Sequence, residues 1–142
     1  MKRLPLAALL LAAACGQSGG VQKGMWSSEV ALSAGQTHLW STKVERCIDP
    51  ASGDPVTEML STTPLGPCAA VETSIQGSNL SLLAQCMGHT DPVMGGMQST
   101  RVHLSGSQSA TAIDASFDAE LEMEPGRPKL TGKLTARRTG DC

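Results

Sequence analysis

From Ile113 to Glu124 the chain alternates without a break, with Ile113, Ala115, Phe117, Ala119, Leu121 and Met123 on one side and Asp114, Ser116, Asp118, Glu120, Glu122 and Glu124 on the other. A period of two places all the apolar side chains on one face of a β-strand. Wound as a helix, the same segment would spread its acids around the axis and leave no apolar stripe. The strand reading therefore prevails over the weak strand propensity of Ala, Asp and Glu. It demands a sheet with one buried and one wet face.

Six shorter segments repeat the pattern. Their candidate inward faces are Trp26, Ser28, Val30 and Leu32; Trp40, Thr42 and Val44; Ala69, Val71, Thr73 and Ile75; Leu80, Leu82, Ala84 and Cys86; Thr100, Val102 and Leu104; and Leu130, Gly132, Leu134 and Ala136. Short turn-formers separate several of them: Gln76-Gly77-Ser78-Asn79, Ser105-Gly106-Ser107-Gln108 and Glu124-Pro125-Gly126-Arg127-Pro128. Such connections join antiparallel neighbours. The fold class expected is mainly all-β, an antiparallel meander of about seven strands. One short helix fits between Asp54 and Ser61, with Asp54 as its cap and Pro55 in the first helical position.

The N-terminus carries an address. Lys2 and Arg3 precede an eleven-residue apolar run from Leu4 to Ala14, which ends in Ala12-Ala13-Ala14 before Cys15. The run is too short to span a bilayer, and reads as an export signal ending at a lipidation cysteine. Residues 1–14 are then a signal peptide, residues 15–24 a lipidated cysteine and flexible tether, and residues 25–142 one antiparallel β domain. Acyl chains of the palmitate type on Cys15 would anchor the protein to a membrane, more than one chain being required for stable attachment. Gly16 follows Cys15 in place of the Asp that favours inner-membrane retention, so the expected location is the periplasmic side of the bacterial outer membrane. Simple cleavage and release into the periplasm is the alternative.

Without the signal, nine basic residues face thirteen acidic ones, a net charge of about −4. The basic residues are scattered, with only Arg137 and Arg138 adjacent, which argues against nucleic acid as a partner. The core has few aromatics, only Trp26, Trp40 and Phe117, and no tyrosine. A core packed from Leu, Val, Ala and Met benefits from covalent staples. With Cys15 assigned to lipid, Cys47, Cys68, Cys86 and Cys142 remain, an even set in a compartment that permits disulfides. Three pairings are possible. The expected one joins Cys47 to Cys68 around a Pro- and Gly-rich excursion holding the short helix, and Cys86 to Cys142 at the C-terminus. No Cys-x-x-Cys pair supports a zinc site.

Chemistry-bearing patterns are few. Gly16-Gln17-Ser18-Gly19-Gly20 matches Gly-x-Ser-x-Gly, but it lacks the preceding strand and following helix that a nucleophile elbow needs. His38, His89 and His103 are widely spaced, and His103 alternates onto a polar face. The row Asp114, Asp118, Glu120, Glu122 and Glu124 is flat along a strand, whereas calcium is held by a turn that curls around the ion. A solvated face is the expectation, which also discourages pairing with other sheets. Met87, His89, Met94 and Met97 concentrate soft ligands in one stretch, a composition suited to Cu(I). The alternative for these methionines is packing at the open end of a core short of aromatics.

The C-terminal Ala136-Arg137-Arg138-Thr139-Gly140-Asp141-Cys142 resembles the Gly-Arg-Arg-x-Gly-Asp-Cys ending of a bacterial envelope family catalogued as domain of unknown function (DUF) 3617. Gly24-Met25-Trp26 is similar to that family's Pro-Gly-x-Trp-Glu start, and Arg46-Cys47 to its Arg-Val-Cys segment. Cys68, Cys86 and Cys142 follow in the family's order. Here Pro is missing before Gly24, Ser27 replaces the acidic residue, and the Met- and Pro-rich insert after the first strand is reduced to Ser33-Ala34-Gly35-Gln36. The resemblance implies a location and a cysteine pattern, without an activity. Together these readings describe a non-catalytic envelope lipoprotein without a cofactor, binding a small molecule, a peptide or another envelope protein. The alternative is a periplasmic Cu(I)-handling protein using Met87, His89, Met94 and Met97.

Overall fold

Trp26, Val30, Phe117 and Leu134, all on predicted inward faces, are buried together on one side of a single sheet. The computed structural model describes residues 20–87, 99–121 and 129–142. The signal-like run, Cys15, Ser18, His89, Met94, Met97, Glu122, Met123 and the turn at 124–128 lie outside these residues. The strands are β1 (Gly24–Ala34), β2 (Thr37–Ile48), β3 (Cys68–Gln76), β4 (Asn79–Met87), β5 (Ser99–Gln108), β6 (Ala112–Leu121) and β7 (Lys129–Gly140), with helix α1 (Pro55–Leu60) between β2 and β3.

All seven strands form one antiparallel sheet in the order β2-β1-β7-β6-β5-β4-β3. Sequence neighbours pair throughout, except that β2 and β3 become the two edges and β1 closes the row against β7. The helix explains that exception, because the segment from 49 to 67 must cross the inner face to reach the far edge. It covers the core as it goes, with Val56, Met59, Leu60 and Leu65 buried beneath it. Arg46 Nη1 of β2 donates to Glu58 O of α1 at 3.5 Å, and Thr73 Oγ1 of β3 reaches Asp54 Oδ2 at 3.5 Å, so the cover touches both edges. Asp54 is the helix cap, its Oδ1 accepting from Val56 N at 2.9 Å and Thr57 N at 3.3 Å. Pro55 follows at the first position, where a missing N–H costs nothing.

The pairing expected for the cysteines is not the one formed. Cys47 bonds Cys142, and Cys68 bonds Cys86. Cys68 and Cys86 face each other across the β3–β4 hairpin with their Cα atoms 4.0 Å apart. Cys47 stands beside Met25 on β2, Gly140 stands beside Met25 on β7, and Cys142 turns back over the start of β1 to reach it. The helical excursion is thus bracketed by two cysteines, each tied elsewhere.

The face expected for β3 is also revised. A register shift between Ala70 and Glu72 leaves Val71 as an extra residue, so Ala70 opposes Ala84 while Thr73 and Ile75 oppose Leu82 and Leu80. Val71 is 62% exposed as a result. A bulge of this kind twists an edge strand and blunts it against further pairing. The folded domain also begins earlier than the expected Met25. Val21 is buried, Gln22 N donates to Ala110 O at 2.9 Å, and Trp26 Nε1 donates to Gln22 O at 2.9 Å.

Candidate binding surface

The outer face of the sheet carries two adjacent rows of side chains that run across the strands. In the first, Ser74 of β3 opposes Ser81 of β4, which opposes Ser105 of β5, which opposes Ser116 of β6, which opposes Lys133 of β7. In the second, Glu72, Leu83, His103, Asp118, Thr131 and Ser33 follow one another from β3 to β1. Adjacent strands lie about 4.8 Å apart, so each row presents one side chain per strand at that interval. Both rows line a groove of about 860 Å³ on the polar face. The four serines are short, and the row beside them carries the longer His103 and Asp118, so the serine row forms a floor.

The inner face sets this groove by what it packs below. Phe117 lies under Gly132, and a Cβ on Gly132 would collide with the ring; a Cβ on Gly106 would meet the backbone of Asp114 and Ala115. These two glycines allow β5, β6 and β7 to fit closely under the middle of the groove.

Two cross-strand ion pairs lie on the outer face. Arg137 Nη2 donates to both carboxylate oxygens of Asp114 at 3.1 Å, and Lys129 Nζ lies 4.0 Å from Asp118. Pairs of this exposure contribute at most about 1 kcal/mol. Of the row expected as a solvated face, Asp114 and Asp118 are paired with cations while about half exposed, and Glu120 is exposed. Among the described residues no group of three or more His, Cys, Asp or Glu side chains is arranged to hold a metal.

His103 is exposed, as alternation implies, and stands opposite Asp118 with Ser105 two residues along its own strand. Among the described residues no hydrogen bond joins His103 to Asp118 or to a serine, so these groups are neighbours without the linked geometry of a catalytic triad. What the surface offers chemically is a line of hydroxyls, each able to donate and accept, with Lys133 at one end and Glu72 near the other. In the sequence the row was present only as isolated serines, with Ser74, Ser81 and Ser116 at polar positions of three strands and Ser105 in an expected turn at 105–108, which the structure instead makes the end of β5. Strand register was the missing signal, because only pairing brings them into line.

Of the soft-ligand cluster, Met87 is described, at the end of β4, where it is 42% exposed. It does not fill a gap in the core. His38 is exposed on β2 opposite Ser33, far along the chain from the other histidines. Among the described residues no helix is long and apolar enough to cross a membrane.

No curated protein and no solved structure matches the chain. The family model described as Protein of unknown function (DUF3617) matches residues 21–142, beginning at the buried Val21 and ending at the disulfide-bonded Cys142. The cysteine order, the Gly24-Met25-Trp26 start of β1 and the Arg137 to Cys142 ending lie within that span, and the chain belongs to the DUF3617 family.

Proposed function

We propose that this protein is a non-catalytic lipoprotein of the bacterial envelope, held on a membrane through Cys15 and binding an extended polar ligand in the groove of its outer sheet face. The groove is the observation that carries the binding reading. Rows of hydroxyls at one strand spacing suit a ligand that offers hydrogen-bonding groups at regular intervals along its length. An extended peptide repeats every two residues, roughly 6.8 Å, and would fall out of step with a spacing of about 4.8 Å after two strands. A polyhydroxylated chain laid across the strands is the better match.

The anchoring reading draws support from the apolar run and small residues before Cys15. Two disulfides suit an oxidising compartment. Cys15→Ser should move the protein from the membrane fraction to the soluble one. A wild-type protein already soluble without detergent would end this part of the reading.

The groove is tested by filling its floor. Protein purified gently from native membranes should carry a bound mass in native mass spectrometry, and Ser105→Leu/Ser116→Leu should lose it while keeping its circular dichroism spectrum. Both positions are on the wet face, so the fold should tolerate the change. The same bound mass on wild type and the filled variant would remove the groove as the binding site.

A further inference from the structure

The point where the chain joins the domain fixes which end of the sheet can face a membrane. Val21 is buried, Gln22 N is bonded to Ala110 O, and Lys23 O accepts from Arg138 Nε at 2.9 Å, so the chain is secured from Val21 onward. Cys15 lies six residues before Val21, a reach of at most about 22 Å. The eleven residues of β1 extend about 36 Å from there to the opposite end of the sheet at Ala34. A tether of that reach keeps the Val21 end beside whatever holds Cys15.

The chemistry of this end agrees. Of its three connections, residues 76–79 and 108–112 contain no charged side chain, and residues 49–54 contain two, Asp49 and Asp54. The three surround an apolar cleft of about 330 Å³ whose walls include Val21, Pro50, Pro55, Ile75 and Leu80. Ile75 is 46% exposed at its rim. The charges at this end are engaged: Lys23 Nζ lies 3.9 Å from Asp49, Asp54 in the cleft wall caps α1, and Arg138 pairs with the exposed Asp141.

We propose that the Val21 end is a lipid-facing surface that rests on the bilayer holding the acyl chains of Cys15, with Ile75 and the cleft at the contact. The strands then stand on the membrane, and the serine row, which crosses them, runs parallel to it. The occupant is a phospholipid surface, and the proposal rests on the anchoring reading above.

Hydrogen exchange on the full lipidated chain in phosphatidylcholine and phosphatidylglycerol vesicles, compared with soluble Cys15→Ser, tests both. Amides of 76–79 and 108–112 should exchange about tenfold more slowly on vesicles, while those of the turn at 35–36 stay unchanged. Ile75→Asp should stay in the vesicle pellet yet lose the protection. A wild-type chain left in the supernatant overturns the anchoring and the surface together. Pelleted protein without protection, protection at 35–36 instead, or protection that survives Ile75→Asp overturns the surface alone.

Discussion

Phe117 and Asp118 are neighbours in sequence and opposites in environment. Phe117 is 3% exposed with its ring against Gly132, and Asp118 faces solvent beside Lys129. Phe117→Ala should cost roughly 3 to 5 kcal/mol, because the cavity opens under a glycine that offers no side chain to collapse into it. Asp118→Ala should be close to neutral, since it loses one screened pair. Urea unfolding of the two variants measures the contrast, and equal losses would mean that the face assignment is wrong. This level of detail was legible in the sequence, because a period of two along β6 dictates which of two adjacent residues is inside. The same reasoning placed Trp26, Leu82, Ala84, Val102 and Leu134 in the core. It could not show that Gly132 makes room for Phe117, a contact between strands.

The limit of local pattern is clearest in β3. The turn Gln76-Gly77-Ser78-Asn79 forms as expected, with Gln76 opposite Asn79 and Gly77 at φ 61°, a left-handed conformation that glycine adopts without strain. Counting back from that turn without interruption brings Cys68 opposite Met87. The bulge at Val71 shifts the register by one and brings it opposite Cys86. A hairpin disulfide was thus within one residue of being readable, and the alternative of a bond to Cys47 came from loop composition, which carries no geometric information. The short helix was readable because its signals are local: Asp54 caps and Pro55 starts. Peptide mapping without reduction should yield a fragment linking Cys68 to Cys86 and another linking Cys47 to Cys142. A main species linking Cys47 to Cys68 would mean that the hairpin register in solution differs from the one described.

At the scale of the molecule, the order of strands was the least legible feature. Nothing in a strand's own sequence says which sheet edge it will meet, and β1 between β2 and β7 joins the first and last strands of the domain. That closure depends on contacts between residues more than a hundred positions apart, such as Arg138 Nε with Lys23 O and Thr139 Oγ1 with Met25 O. The Cys47 to Cys142 bond spans 95 residues across this closure, whereas Cys68 to Cys86 spans 18 within one hairpin. In the chain-entropy account, constraining the unfolded chain contributes about 4.7 kcal/mol for a closed loop near a hundred residues and about 3 kcal/mol for one near fifteen to twenty. Cys47→Ala/Cys142→Ala should therefore destabilise the domain more than Cys68→Ala/Cys86→Ala, by about 1 to 2 kcal/mol in urea unfolding. It should also affect β1 and β7 first, seen as faster hydrogen exchange at residues 24–28 and 136–140, since the long bond holds the C-terminus over the start of β1. The reverse order of stabilities would show that β1 and β7 already meet in the unfolded chain, or that the hairpin bond carries enthalpy the loop argument omits. In the first case the hydrogen exchange of residues 24–28 and 136–140 would remain slow without the bond. In the second it would quicken as expected while the hairpin variant unfolds at lower urea, so the two measurements together separate the causes.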